Sequence, residues 1–338
     1  MGVYGGIDLH SSNCWVAVVD EGDRAVRDVR LPNDLEAILV ELAAYRDELR
    51  GIVVESTFNW YWLVDGLMEA GYEVHLANTA AIRQYAGLKY TDDRSDARWL
   101  AHLLRIGALR EGYIYPKQER AVRDLLRKRS LLVRHRVMHV LSIQNLLARN
   151  LGRRFSLKTI MALEDEDVGA LLPNADHALA VNATLSVLRC LTAEIHRVEQ
   201  AIRADMKGRA DVTLLRSVDG IGSVLALTIA LETGDIGRFA TVGQFASYCR
   251  CVDSSRLSNG KRKGEGNTKN GNRYLAWAFV EAANFAIRHN ERIRRFYDRK
   301  KARKNRPVAV KAVAHKLARA CYHMLRDQTP FDVKRAFA

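Results

Sequence analysis

The chain has 338 residues, of which 48% are hydrophobic, so it can bury more than one core. Its 53 Lys and Arg against 39 Asp and Glu give a net charge of +14, which favours a polyanionic partner, nucleic acid being the usual one. No run approaches the ~18 consecutive apolar residues of a membrane span. The opening MGVYGGIDLH lacks the pattern of a secretory signal, and five scattered cysteines without zinc-ligand spacing suit a reducing cytoplasm.

Short apolar or alternating runs predict strands at Val3–Leu9, Cys14–Val19 and Arg24–Leu31, separated by turn-prone residues. Pro32 is expected in the first turn of a helix carrying Leu35, Ile38, Leu39 and Leu42 at helical spacing. Gly51–Glu55 reads as a buried strand ending in a carboxylate. A helix through Tyr61, Leu63, Leu67 and Met68 follows, Gly71 stops it, and Tyr72–Leu76 forms another strand. Hairpin strands followed by β-α-β units predict a mixed α/β sheet.

The character changes near Lys117. Residues 117–154 carry a net +9 on a helical apolar stripe, and Asn182–Met206 continues as helix, with Pro173 and an acidic loop at Glu164–Asp167 between them. This pair reads as a helical hairpin or coiled-coil linker suited to dimerisation. The last third, from about Asp211, reads as helices with glycine loops, and residues 261–306 carry a net +11. Since these two stretches exceed the whole chain's +14, the remainder is net acidic and the positive charge is concentrated.

Three constellations can carry chemistry. Asp8 and Glu55 lie on two strands, while Asp93 and Asp96, three residues apart where a helix begins, share one face. Four converging carboxylates repel one another unless hard divalent cations, Mg²⁺ above all, neutralise them. Two such ions stabilise the attacking and leaving oxygens of phosphoryl transfer. Asp92 competes with Asp93, one as helix cap and the other as ligand; the competing structural role for all four acids is turns and caps. In the second constellation, Val218-Asp-Gly-Ile-Gly, two apolar helices flank Gly220 and Gly222. Helix-terminal amides there can meet a phosphate, or the glycines can serve packing alone. The third is a basic, glycine-studded stretch in which Lys261, Arg262, Lys263 and Lys269 surround Ser258. Those cations ease approach to a phosphodiester, whereas a plain surface loop is the simpler reading. Arg294, Arg295, Arg299 and Lys300 then form a basic helical face for phosphate. Trp60, Trp62, Trp99, Tyr274 and Trp277 are expected in the core.

At these motifs the sequence resembles the DEDD transposases of bacterial insertion sequences, the IS-one-ten family and especially its IS-eleven-eleven branch. The matching residues are Gly6-Ile-Asp-Leu-His, Val54-Glu-Ser-Thr, Lys89-Tyr-Thr-Asp-Asp-Arg-Ser-Asp-Ala-Arg, Val218-Asp-Gly-Ile-Gly, Gly237-Arg-Phe and Ser258-Asn-Gly-Lys through Lys269-Asn-Gly-Asn. The resemblance implies a RuvC-type, RNase H-like domain over 1–115, a basic helical linker over 116–210, and a mainly α, serine-bearing transposase domain with a helix-hairpin-helix-like motif over 211–338. It implies that Asp8, Glu55, Asp93 and Asp96 hold two Mg²⁺ ions and that Ser258, with Ser254 and Ser255 as rivals, is the nucleophile. It further implies DNA and a structured noncoding guide RNA as partners, a dimer or tetramer in which different protomers share one site, and no membrane. A metal-only, junction-resolvase-like nuclease and a non-enzymatic nucleic-acid-binding protein are the competing functions.

Overall fold

Alternation of apolar residues builds the first sheet in this computed structural model. Strands β1 (Val3–Leu9), β2 (Asn13–Asp20) and β3 (Ala25–Pro32) form an antiparallel meander, and β4 (Leu49–Glu55) and β5 (Val74–Ala77) extend it in parallel on the other side of β1. The order is β3-β2-β1-β4-β5. Helix α1 (Leu35–Ala43) lies between β3 and β4 in the chain, α2 (Tyr61–Glu69) between β4 and β5, and α3 (Asp93–Arg105) after β5. The structure describes residues 2–82, 92–252, 256–259, 261–264 and 270–338.

Period-two alternation gives the sheet two different faces. Ile7, Leu9, Ile52 and Val54 pack with Ile38 and Leu42 of α1 and with Leu63 and Leu67 of α2. The intervening residues face α3, where Val53 and Ala77 meet Leu100. One contact sets the distance between α3 and the sheet. A Cβ on Gly6 would stand 2.1 Å from the Ala97 carbonyl oxygen, so only glycine lets α3 lie this close to β1. Pro32 does not open α1 as expected. It closes β3, an edge strand that tolerates the missing N–H, and the Asp34 side chain caps α1 by accepting from the Ala37 amide.

These elements make up one compact unit, Met1–Lys117; the other is Gln118–Ala338. The second opens with the 35-residue helix α4 (Lys117–Leu151) and continues through α5 (Leu157–Met161), α6 (Asp165–Leu171) and the 31-residue α7 (Ala175–Asp205). The acidic stretch expected as a loop is largely helix α6. Glu164 and Asp167 form its capping box, and three acids in the first turn suit the positive end of the helix dipole. Ile143 and Leu147 of α4 pack with Val168 of α6 and with Val181, Leu185 and Leu188 of α7 in one core. Although no continuous apolar run marks it, α7 is long and, over its most apolar 18 residues, apolar enough to cross a membrane by length and composition alone.

The larger core of this unit gathers α8 (Ala210–Leu215), α9 (Ser223–Thr233), α10 (Val242–Tyr248), α11 (Arg273–His289), α12 (Glu291–Arg303) and α13 (Arg306–Asp327), with Leu126 of α4 and Ile202 of α7. Phe245, Phe279 and Tyr322 are among its fully buried large side chains. Between α10 and α11 the strands β6 (Arg256–Ser258) and β7 (Lys261–Gly264) form an antiparallel hairpin, and a last short helix, α14 (Val333–Ala336), follows α13. The chain is therefore a mixed sheet with helices around it, followed by a mostly helical region.

Candidate metal and phosphodiester site

The four predicted acids belong to the first unit, and three of them line one cleft. Ile7 pairs with Val54 across the parallel β1/β4 ladder, and the next residue of each strand is Asp8 and Glu55. Both fall on the face that carries α3, whose first turn supplies Asp93 and Asp96. Asp8, Glu55 and Asp96 line a cavity of about 240 Å³ together with Thr79, Trp99 and Leu100. Asp8 is buried at 3% exposure, and Asp93 is exposed at the rim. Asp92 is the cap of α3, its side chain accepting from the Ser95 amide at 2.8 Å, which leaves Asp93 as the first-turn acid on the site.

Electrostatics in the cleft follow from crowding. Burial, then a hydrogen bond with Asp8, then the charges of Asp8 and Asp96 push the Glu55 carboxyl up to about 8. Asp96 is also raised, by burial and by the negative charges of Asp8, Asp93 and Asp92, with His10 opposing. His10 Nε2 lies 3.2 Å from Asp8 Oδ2 and 3.1 Å from Asp93 Oδ2. Asp8, His10 and Asp93 can offer ligand atoms that all lie within 4.8 Å of one another.

The predicted serine belongs to the second unit. Ser258 is the last residue of β6 and pairs with Lys261, the first of β7, across the hairpin turn. Lys261 and Lys263 are exposed along β7, with Arg262 between them. Lys269, Ser254, Ser255 and Lys89–Thr91 lie outside the described residues. The ends of the hairpin segment are clamped together. Arg250 donates from Nε to the Asn270 and Gly271 carbonyls at 3.0 and 3.1 Å, and the Asn272 amide donates to the Tyr248 carbonyl at 2.6 Å. The Asn272 side chain caps α11 and donates from Nδ2 to Glu232 Oε2 at 2.7 Å.

Glu232, 1% exposed on α9, is gripped from α4. Arg127 donates from Nε to Oε1 at 2.6 Å and from a terminal nitrogen to Oε2 at 2.9 Å, and Arg123 donates to Oε2 at 3.1 Å. Burial alone would raise this carboxyl, but Arg127, Arg123 and Asn272 together hold it below the usual range.

In the glycine motif the two residues do different work. Gly220, at φ +97°, packs against α11 so closely that a Cβ would lie 2.5 Å from the Ala282 carbonyl oxygen. Gly222 is the N-cap of α9, makes no side-chain cap bond, and has open space where a Cβ would stand.

Two family models match the chain in sequence order. One, described as Transposase and of the DEDD type of IS110, covers residues 5–150, and the other, described as Transposase IS116/IS110/IS902 family, covers residues 212–298. The chain belongs to the IS110-type transposases. It is similar to the "Probable family 20 transposase" of Pseudomonas aeruginosa, 28% identical over 80% of this chain and 81% of that protein. It is also similar to the transposase for insertion sequence element IS1111A of Coxiella burnetii, 26% identical over 68% of this chain and 63% of that one.

Membership in these transposases implies use of a divalent metal, and the cleft fits one. Its donors are hard carboxylate oxygens and an imidazole, and the carboxyls of Glu55 and Asp96 are raised first by burial and then by crowded negative charge, which a cation would neutralise. Beyond the four acids, His10 beside Asp8 and Trp99 in the wall of this transposase's cleft also belong to the site. His10 stands two positions beyond Asp8, the same-face step of extended chain, and that spacing was the available signal. Trp99, expected in the core, is half-buried in the wall of the cleft and stacks on His102 at 5.1 Å. Nor is every basic residue of α4 turned to a ligand, because Arg123 and Arg127 serve Glu232, and Arg129 pairs with Glu199.

Proposed function

We propose that this chain is a DNA recombinase that cuts and rejoins strands with acids holding Mg²⁺ and with Ser258 as nucleophile. The convergence of Asp8, Glu55 and Asp96 on one cleft, with Asp93 and His10 at its rim, carries the reading. Two Mg²⁺ ions bound there would supply charge stabilisation to the oxygens of a scissile phosphodiester. Asp8 and Glu55, on neighbouring strands of an RNase H-like sheet, hold their carboxylates at fixed spacing, and Asp93 and Asp96 approach from α3. His10, whose Nε2 stands 3.2 Å from Asp8 and 3.1 Å from Asp93, can join these acids as a further ligand.

In the second unit the Ser258 hydroxyl would attack phosphorus. An Oγ–P bond forms, one backbone P–O bond breaks, and a deoxyribose hydroxyl leaves with the proton lost from the serine. The reverse attack by a deoxyribose hydroxyl restores a phosphodiester and frees the serine. The exposed Lys261 and Lys263 on the paired strand favour an incoming phosphate. Residues 1–115, 116–210 and 211–338 act as acid-bearing, helical linker and serine-bearing parts. Acids and serine meet in a dimer or tetramer, and the concentrated positive charge holds donor DNA, target DNA and a structured guide RNA in the cytoplasm.

A nicked DNA substrate and mass spectrometry test the serine. A covalent adduct mapping to the peptide containing Ser258, lost in Ser258→Ala with DNA binding retained, is the expected result. Strand exchange by Ser258→Ala at the wild-type rate would remove the serine from the mechanism, and Mg²⁺-dependent cleavage without any adduct or rejoining would favour the metal-only nuclease. Asp8→Ala should abolish Mg²⁺-dependent cleavage, and cleavage unaffected by it would remove the acids.

A further inference from the structure

The four basic residues of α12 expected to meet phosphate divide into two pairs. Arg294 donates from Nε to the Ile287 carbonyl at 3.0 Å, and Arg295 forms an ion pair with Glu291. Arg299 and Lys300 instead stand beside a second set of cations on α13. Burial first, then the neighbouring charges of Arg319, Lys300 and Arg299, depress the Lys316 ammonium. Lys316, Arg319 and His323 of α13 and Arg335 of α14 line a cavity of about 310 Å³, with Pro330 and Phe331 as an apolar wall.

This cluster is built, and its cations outnumber its one acid, Asp332. Lys316 Nζ donates to the Ala336 carbonyl at 2.9 Å and lies 5.2 and 5.5 Å from the ring centres of Phe296 and Phe337, which fixes its direction. Asp332 also lines the cavity, but its carboxylate accepts from the Lys334 and Arg335 amides as the cap of α14. Among the described residues no carboxylate forms an ion pair with Lys316, Arg319, Arg335, Arg299 or Lys300. Like charges held together with too few acids repel, and a polyanion offsets that repulsion at once. The apolar wall suits a sugar or base beside the phosphate, and the volume is at the small end for ligand clefts.

We propose that the cleft between α13 and α14 docks a phosphate of a nucleic-acid strand, with Arg319 and Arg335 as the contacting cations and Lys316 fixed beneath them. The site goes beyond the catalytic reading and does not depend on it. Binding is measured without divalent ions and in the Ser258→Ala background, so failure of the serine mechanism leaves the result intact.

The test uses the full chain and three labelled probes of about twenty nucleotides: single-stranded RNA, single-stranded DNA and duplex DNA. The double variant Arg319→Ala, Arg335→Ala should bind at least one probe about tenfold more weakly at about 100 mM salt, with an unchanged melting temperature. Its plot of log affinity against log salt should be shallower by about 0.7 for a single strand, the loss of one phosphate contact. Arg27→Ala, which removes a cation paired with Glu41 in the first unit, should change neither. The pattern across probes tells RNA from DNA. Unchanged affinity and slope for all three probes, or an equal loss in Arg27→Ala, overturns the proposal. So does stabilisation by inorganic phosphate at constant ionic strength with no effect of the double variant on any strand, which would make the cleft a free-anion site.

Discussion

Glu55 shows how one side chain reports on its whole neighbourhood. Its folded value, about 8, lies far above an ordinary glutamate, so the metal-free fold holds a proton that the unfolded chain releases from about pH 4.3 upward. The stability tied to that proton is complete below the ordinary value and is lost as pH rises through about 8. Divalent cations need the deprotonated carboxylate, so Mg²⁺ should raise the melting temperature more at about pH 8.5 than at about pH 6. Glu55→Gln should flatten both dependences in scanning calorimetry. Equal Mg²⁺ shifts at the two pH values would mean that Glu55 does not meet the ion. The neighbouring pair Asp92 and Asp93 gives a sharper contrast. Asp92→Ala removes a cap and should cost about 1 kcal/mol of stability while leaving metal-dependent cleavage in place. Asp93→Asn should leave the melting temperature within a few degrees and abolish cleavage, and the opposite pattern would exchange their roles. Sequence could name both acids but not sort them, because the choice rests on which carboxylate turns back to the Ser95 amide.

At the scale of elements, the glycine turn between α8 and α9 and the clamp below the serine hairpin lend themselves to substitution. Gly220→Ala places a Cβ at positive φ against the backbone of α11 and should destabilise the chain by about 3 kcal/mol, read by denaturant titration. Gly222→Ala meets nothing and should cost under about 1 kcal/mol. If it nonetheless weakens DNA binding, Gly222 serves ligand approach rather than packing. Asn272→Ser keeps a hydroxyl cap on α11 but is too short to reach Glu232. It should slow adduct formation at Ser258 more than it lowers stability, and equal effects on both would make the network purely structural. Much of this layer was legible. The β1 strand was read to the residue because a buried strand ends where its apolar run ends, and α1, α2 and α4 followed their periodicity. The β6/β7 hairpin was read as a loop, although Asn259-Gly260 between the two halves is a hairpin-turn signal, because two strands of three and four residues carry too little apolar pattern to stand out. The grip of Arg123 and Arg127 on Glu232 left no trace at all, since the partners lie 109 and 105 residues apart.

For the molecule as a whole, charge concentration was the most transferable reading, and the fold edits it. Arginines of α4 that neutralise Glu232 and Glu199 are withdrawn from any nucleic acid, so the salt dependence of binding should be shallower than a count of Lys and Arg suggests. A slope matching the full count would mean those pairs open on binding. The route of α4 has a further consequence. Near its start Leu126 anchors in the larger core, and Ile143 anchors in the smaller one, about 26 Å farther along the axis at 1.5 Å per residue. Between those anchors Val137, Met138 and Leu141 are exposed, so the intervening turns rest largely on their own helical bonding, which is marginal over so short a span. Amide hydrogens at this waist should therefore exchange with deuterium ahead of those at either anchor, giving the long rod a soft middle between two fixed ends.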